Sequence, residues 1–409
     1  MTINGADTVF VIIATILVFL MTPALALFYG GLVRRKNVLS TTMHSYGAIV
    51  LVSLQWIILG YTLVFGTDNS GIIGGLNFLG LDGVGFEANA DYAATIPHQA
   101  FMLFQMMFAV ITPALISGAF AERMKFSAMM LFTLLWTTFV YDPIAHWVWG
   151  VGGWLRTLGA LDFAGGNVVH ISSGISALVV ALILGKRKYV KHAKPHNVTI
   201  TVLGAGLLWV GWFGFNAGSA LAINDVALNA FITTNTAAAA CAAVWMILER
   251  IRFGKSSAVG LATGAVAGLV AITPGAGFVT PMAAIIIGAV AAIICFIAIY
   301  YVKEKLGYDD ALDAFGCHGI GGIWGAIATG LFATTKVNSA GADGLFYGGA
   351  KLLGAQFIAV IATIAFAGIV TFIIVKIVDK TIGLRVSTEV EDIGLDTMLH
   401  GNEAYETGV

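Results

Sequence analysis

Two histidines stand in stretches that otherwise hold glycine, small side chains and apolar bulk. His318 lies in LDAFGCHGIGGIWGAIATGLF (312–332), and His170 in the similarly framed LDFAGGNVVHISSGISALVVALIL (161–184). An ionisable group in apolar surroundings is expensive and by default marks a pathway or a relay. A neutral imidazole offers one hydrogen-bond donor and one acceptor. Two that meet can share one hydrogen bond and still present polar edges to a small solute, or pass a proton. A lone buried histidine is more often structural; two in matched frames shift the weight to a pathway for a small substrate that is neutral or can lose a proton.

A second group of residues gathers near other segment ends. DPIAHWVWGVGGW (142–154) carries Trp147, Trp149 and Trp154, most readily an interfacial aromatic belt, although a Trp face also holds a cation for about 0.5–2 kcal/mol. WVGWFGFNAGSAL (209–221) offers the Ser219 hydroxyl, and FQMMFAV (104–110) with Phe215 adds aromatic bulk. Asp162 precedes an apolar run, the usual place of a helix N-cap, where it also adds negative potential.

The elements that position these residues follow from composition. The 409 residues are 58% hydrophobic and only 11% charged, with mean hydropathy +0.90, against roughly 25% charged for a soluble domain. The fold class is therefore an all-α membrane protein. A span needs about 20 apolar residues, and eleven transmembrane helices are expected at roughly 8–31, 40–66, 98–120, 126–149, 165–185, 198–219, 228–249, 256–273, 280–302, 311–333 and 347–379. All of the 21 Lys and Arg residues except Arg156, Lys336 and Lys351 then fall on one side, Lys191 among them. Since cytoplasmic loops are enriched in such residues, the N-terminus is expected outside and the C-terminus cytoplasmic. The longest outer loop is acidic, with Asp68, Asp82, Glu87 and Asp91.

Depth counting then links the histidines. His170 follows Asp162 by eight residues on an inward segment, and His318 follows Asp310 by eight on an outward one. At 1.5 Å per residue each is about 12 Å deep in a core of about 30 Å. They approach the midplane from opposite sides, as two inverted repeats of five helices require.

Other features narrow the function class. A net charge of -1 offers no basic surface for nucleic acid. Cys241, Cys295 and Cys317 form neither a metal-ligand spacing nor a disulfide framework, so no metal site and no cofactor are expected. No P-loop signature and no soluble stretch long enough for a nucleotide domain occur. The first apolar run lacks a basic n-region and reads as a retained span rather than a signal peptide. Residues 1–379 are expected to form the membrane domain, and residues 380–409 a polar, acidic cytoplasmic tail too short to be a domain. Fifty glycines, about twice the usual frequency of roughly 7%, point to close helix packing.

The ordered runs FYGGLVRRKNVLS (28–40), AFAERMKFSA (119–128), LDFAGGNVVHISSG (161–174), GWFGFNAGSAL (211–221), AITPGAGFV (271–279), LDAFGCHGIGG (312–322) and GLRVSTEVEDIGLDTMLHGNEAY (383–405) resemble the ammonium transporter (Amt/Mep/Rh) family across nearly the whole chain. The resemblance implies eleven spans, two inverted five-helix halves plus one extra helix, a homotrimer in membrane lipid, and a narrow pore in each subunit of a transporter that is not an enzyme. It implies twin pore histidines at His170 and His318, with Trp212 lining the channel. Trp149 and Ser219 would recruit ammonium with Phe108 in the floor, Phe108 and Phe215 would gate the pore, and Asp162 would support recruitment or deprotonation. The Trp149 and Ser219 pair favours the Amt/Mep branch over the Rh branch. Cys317 stands where the family pattern has a small aliphatic residue. The tail resembles a regulatory element that in many members meets a PII-class signal protein at the cytoplasmic face.

These implied roles are physically coherent. A bare cation in a low-dielectric channel costs on the order of 20 kcal/mol in the idealised limit, whereas ammonia is neutral. Selection by charge outside and passage of ammonia within reconciles the two, and potassium, which cannot lose a proton, is rejected. The expected outcome is net inward charge movement across a cell membrane. An electroneutral ammonia or carbon dioxide channel would give uptake without current, and an ammonium sensor would give no flux.

Overall fold

Long apolar helices make up most of the structure, a computed structural model that describes residues 2–188 and 194–405. Lys191 and the last tail residues, 406–409, lie outside the described residues. Among the described residues ten helices are long and apolar enough to cross a membrane. They are α1 (Gly5–Leu32), α2 (Arg35–Phe65), α3 (His98–Phe120), α4 (Phe126–Leu158, with a turn after Trp149), α5 (Gly166–Leu184), α6 (Val198–Ala220), α7 (Asp225–Phe253), α9 (Pro281–Leu306), α10 (Phe315–Phe332) and α11 (Ala350–Thr381). The segment expected at 256–273 holds α8 (Ala258–Ile272), whose 15 residues rise about 22 Å.

Turn residues carry the chain on from α8, and their backbone groups find partners at depth, as lipid-buried backbone must. Asn229 donates to Ala276 O and Val279 O at 3.1 and 3.0 Å, and Thr233 donates to Ala276 O at 2.8 Å.

Local chemistry sets the helix ends. The span expected at 228–249 is longer, Asp225–Phe253, because Asn224 caps it by accepting from Ala227 N at 3.0 Å and Gly254 closes it at φ 79. The span expected from 311 begins as helix only at Phe315, because Asp313 sits at φ 60 in the preceding turn.

Small residues let the helices approach. Gly204, Gly211 and Gly214 share one face of α6 against α1, where a methyl on any of them would overlap Phe28, Met21 or Leu17. Another close crossing joins α5 to α10, where a methyl on Gly174 would overlap the backbone of Gly319. Such close approach gives packing that lipid tails cannot supply. Polar ties add to it: the Gln356 amide of α11 bonds both ways with the Leu161 backbone and donates to Ala326 O at 2.9 Å.

The two ends differ in charge. A loop of two small hairpins, Asp68–Asn69 with Ile73–Gly74 and Ala88–Asn89 with Ala93–Pro97, covers the acidic-loop end. At the basic-loop end the Glu122 carboxylate accepts from Arg34 Nε, Asn37 Nδ2 and Arg187 Nη1 at 2.8, 2.8 and 2.7 Å. Asp309 accepts from Arg187 Nη2 at 2.8 Å.

The tail packs on this cluster through α12 (Thr388–Ile393) and a turn at Asp396–His400. Glu391 accepts from Arg385 Nη2 at 2.7 Å and from Lys188 N at 2.6 Å. Asp396 caps α2 by accepting from Leu39 N and Ser40 N at 3.0 and 2.7 Å.

Candidate functional site

Both histidines sit on π-helical turns at the starts of their helices, Gly166–Ile171 in α5 and Phe315–Gly319 in α10. The two turns come together where the glycines let α5 and α10 touch. His170 Nδ1 and His318 Nδ1 are 3.3 Å apart, with ring centroids 5.4 Å apart and planes 19° from parallel. One nitrogen must carry the hydrogen and the other accept it, so the shared bond sets complementary tautomers. His170 Nε2 has no protein partner. Trp212 stacks on His170 at 5.5 Å and donates its indole hydrogen to Thr273 at 2.9 Å.

Three cavities neighbour one another around this pair. The middle one, about 10 Å³, is lined by His170, His318, Trp212, Phe215 and aliphatic side chains, which is room for about one water-sized molecule. The cavity at the acidic-loop end, about 190 Å³, is lined by Trp149, Ser219 and Phe108. Phe108 and Phe215 separate these two, their ring centroids 4.2 Å apart at 32°. Beyond His318 a wider cavity of about 310 Å³ opens towards Arg34, Glu122 and Arg187 at the basic-loop end.

The Trp149 ring meets Phe108 edge to face at 5.9 Å, and its indole donates to Asp162 O at 3.0 Å. Ser219 Oγ donates to Phe215 O at 2.8 Å, which leaves its oxygen able to accept. Asp162 is the expected N-cap in a fuller form. Its carboxylate accepts from Gly165, Gly166, Asn167 and Val168 N at 2.6 to 3.3 Å. Asp310 caps the His318 helix in the same manner, from Ala314 N at 3.1 Å and Phe315 N at 2.8 Å. Each histidine is thus placed by an aspartate eight residues before it.

The structure places His170, His318, Trp212 and Phe215 in the lining of one cavity and Phe108, Trp149 and Ser219 in the lining of the next, with Phe108 and Phe215 in contact between them. Asp162 stands behind it. Trp147 departs from the expected belt: it is only 8% exposed and donates to Ile72 O at 2.8 Å, because the hairpin loop folds over it. Cys241, Cys295 and Cys317 are buried free thiols. Cys317 lines the wider cavity beside His318.

Several cavity residues were not singled out in the sequence. Gln105 lines the Trp149 cavity, and its Oε1 has no protein partner. Phe101, Gln105 and Phe108 recur at the i, i+4, i+7 spacing of one helix face, a signal that was available. Asp91 and Tyr92 reach the same cavity from a loop and Arg156 from the last turn of α4; no comparable pattern marks them, and Asp91 and Arg156 enter the sequence reading only through their charge. Arg156 also fixes Trp149 by donating to its carbonyl at 2.6 Å.

The wider cavity's mouth is an ion-pair network. Burial alone would push the Glu122 carboxyl up, but the Arg187 and Arg34 charges hold it below the ordinary carboxylate value. Asp309 behaves alike: burial opposes, and Arg187 bonds and charge pull it down to about 2.

Comparison with known proteins agrees with this geometry. The family model for the Ammonium Transporter Family matches residues 9–405. The ammonium transporter of Bacillus subtilis (strain 168) is 60% identical over 400 residues, 98% of each chain. Ammonium transporter Amt1 of Archaeoglobus fulgidus is 49% identical over 405 residues, 98% of this chain and 100% of that one. The crystal structure of Candida albicans Mep2 is similar with a TM-score of 0.89 at 38% identity, covering 98% of this chain and 93% of that one. A structure described as Sensor Amt Protein is similar with a TM-score of 0.87 at 29% identity, covering 97% and 98%. With a match running from near its first residue to its tail, this multi-pass membrane protein belongs to the ammonium transporter family.

Proposed function

We propose that the protein recruits ammonium between Trp149, Ser219 and Phe108, takes its proton near the Phe108 and Phe215 gate, and conducts ammonia past His170 and His318. The observation that carries this reading is the 10 Å³ cavity whose polar lining is the 3.3 Å histidine pair. A cation entering it would leave water at a cost on the order of 20 kcal/mol in the idealised limit, with no carboxylate in the lining to repay it. Ammonia fits the volume and can donate to or accept from an imidazole edge. Asp162 keeps negative charge behind the Trp149 cavity while its carboxylate is spent on helix capping.

In this reading α8 crosses as a short eleventh span completed by its turn, and the matched Asp162/His170 and Asp310/His318 units belong to two inverted five-helix repeats, with α11 as the extra helix. The acidic-loop end and the N-terminus face outward, and the tail lies in the cytoplasm. Residues 1–379 form the membrane domain of a homotrimer in lipid, and the tail, 380–409, regulates it and meets a PII-class signal protein. The shared Nδ1 hydrogen suits the histidines to relay the proton left behind, giving net inward charge movement.

Current recording on the reconstituted protein tests this. Ammonium should evoke a current that potassium does not, and replacing His170 and His318 together should abolish it. Uptake without current, or a current unchanged by that replacement, refutes the relay. Absence of flux refutes the transport mechanism itself.

A further inference from the structure

Asp142 in α4 is a fully buried carboxyl that the pathway does not use. It begins the helical stretch Asp142–Trp149, whose last residue walls the Trp149 cavity. Two π-helical turns flank it, Trp56–Gly60 in α2 and Thr137–Tyr141 in α4, and π turns recur at functional positions.

The hydrogen bonds around Asp142 constrain its protonation. The Gln55 amide nitrogen lies 2.7 Å from Asp142 Oδ2 and 3.2 Å from Thr138 Oγ1. The Thr138 hydroxyl gives its own hydrogen to Leu134 O at 2.9 Å, so towards Gln55 it can only accept. That identifies the nitrogen end of the amide and uses both of its hydrogens. The acceptors left over, Gln55 Oε1 and Asp142 Oδ1, are buried with no partner among the described residues. They belong to two residues already joined by one hydrogen bond.

No ion pair among the described residues includes Asp142. Among the described residues no titratable neighbour hydrogen-bonds to Asp142, and the basic one, His146, is paired with Asp68. Tyr141 precedes it with an unpartnered hydroxyl, His146 is turned to Val64 O and Asp68, Tyr61 of α2 bonds His98, and Asp162 is occupied by four amides. An ionised carboxylate here would bear a desolvation cost that one amide bond does not repay.

We infer that Asp142 is a protonated carboxylic acid whose Oδ1–H donates to Gln55 Oε1, and that this closed acid–amide pair positions Trp149 for ammonium. One proton answers both unpartnered acceptors and removes the buried charge. The pair clamps α4 to α2 at the base of a short rigid helix, and Trp149 rides on its far end. Asp142 is a positioning residue. The competing account is an ionised Asp142 holding a cation among the oxygens of Gln55, Thr137 and Tyr141.

The Asp142→Asn variant separates the two, because the Asn amide reproduces both bonds without a titratable proton. The wild-type infrared spectrum should show the carbonyl stretch of a buried carboxylic acid, and D142N should lack it. Ammonium uptake by D142N should keep its KM within about twofold, whereas D142L, which breaks both bonds, should raise KM by about five- to tenfold with a smaller change in maximal rate. Absence of the acid band, or a D142N variant as impaired as D142L, overturns the inference. The inference rests on the Trp149 recruitment reading only for its transport effect. The infrared band reports on the proton whether or not that reading holds, and does so even where D142L fails to fold.

Discussion

The Trp149 indole donates to the carbonyl of Asp162 at 3.0 Å, while the carboxylate of the same Asp162 gathers four amides at the start of the His170 helix. One residue therefore ties the wall of the Trp149 cavity to the start of the helix that carries His170. Among the described residues no ion pair includes Asp162: the carboxylate is held by peptide N–H groups, as helix N-termini allow. In the proposed mechanism this joins ammonium capture to ammonia passage.

Asp162→Ala should be disabling in both respects. Four buried N–H groups would lose their acceptor, and an unpaired buried group costs about 1–3 kcal/mol. The variant should unfold at lower temperature in detergent and carry no ammonium current. Asp162→Asn keeps one acceptor oxygen and should fall between the two. Wild-type thermal stability in Asp162→Ala would show that the capping bonds contribute nothing.

Replacing Trp149 tests capture alone. A cation over an indole face gains about 0.5–2 kcal/mol, which corresponds to about a two- to thirtyfold change in affinity. Trp149→Leu should raise the KM for ammonium within that range and leave the maximal rate nearly unchanged, since the histidine constriction is intact. A rate loss at unchanged KM would place Trp149 in passage rather than capture.

Legibility in the sequence followed the range of the interactions. The meeting of His170 and His318 could be anticipated because helical rise is a local property and each count starts from a nearby aspartate. Caps such as Asn224 and Gly254 were equally local, and reading them would have placed the ends of α7. Glu122 could not be found this way, because its partners Arg34 and Arg187 come from loops 88 and 65 residues away. Gln55 and Asp142 lie 87 residues apart. Asp142 alone was detectable as a carboxyl within a span, yet its stretch DPIAHWVWGVGGW drew attention through its tryptophans. Trp147 shows the converse error: composition placed it at an interface, and a distant hairpin loop buried it.

The basic-loop end should respond to acid. Asp309 is pulled down to about 2 by Arg187 against the opposing effect of burial, and Glu122 is lowered in the same sense. A carboxyl whose folded-state pKa lies below its unfolded value of about 4 binds protons more readily when unfolded. Its stabilisation is therefore complete above about pH 4 and is lost as pH falls towards 2. Thermal unfolding followed against pH should show this loss in the wild type. Asp309→Asn should be less stable at pH 7 and converge with the wild type at low pH; parallel curves would dissociate Asp309 from acid sensitivity.

The glycine crossing of α5 and α10 makes the sharpest steric prediction. At Gly174 an added methyl would overlap Gly319, one residue from His318, so the helices must separate and stretch the 3.3 Å histidine bond. Overpacking of this kind costs about 1–3 kcal/mol. Gly206 of α6 is exposed on the single chain, and among the described residues nothing lies within 4 Å of where a methyl would sit. Alanine there removes backbone freedom from the unfolded chain and should stabilise by about 0.4–1 kcal/mol. Gly174→Ala should therefore lower both unfolding temperature and ammonium flux, while Gly206→Ala raises the first and leaves the second unchanged. Equal behaviour of the two variants would mean that the crossing tolerates a side chain and that the histidine pair is held by something other than this contact.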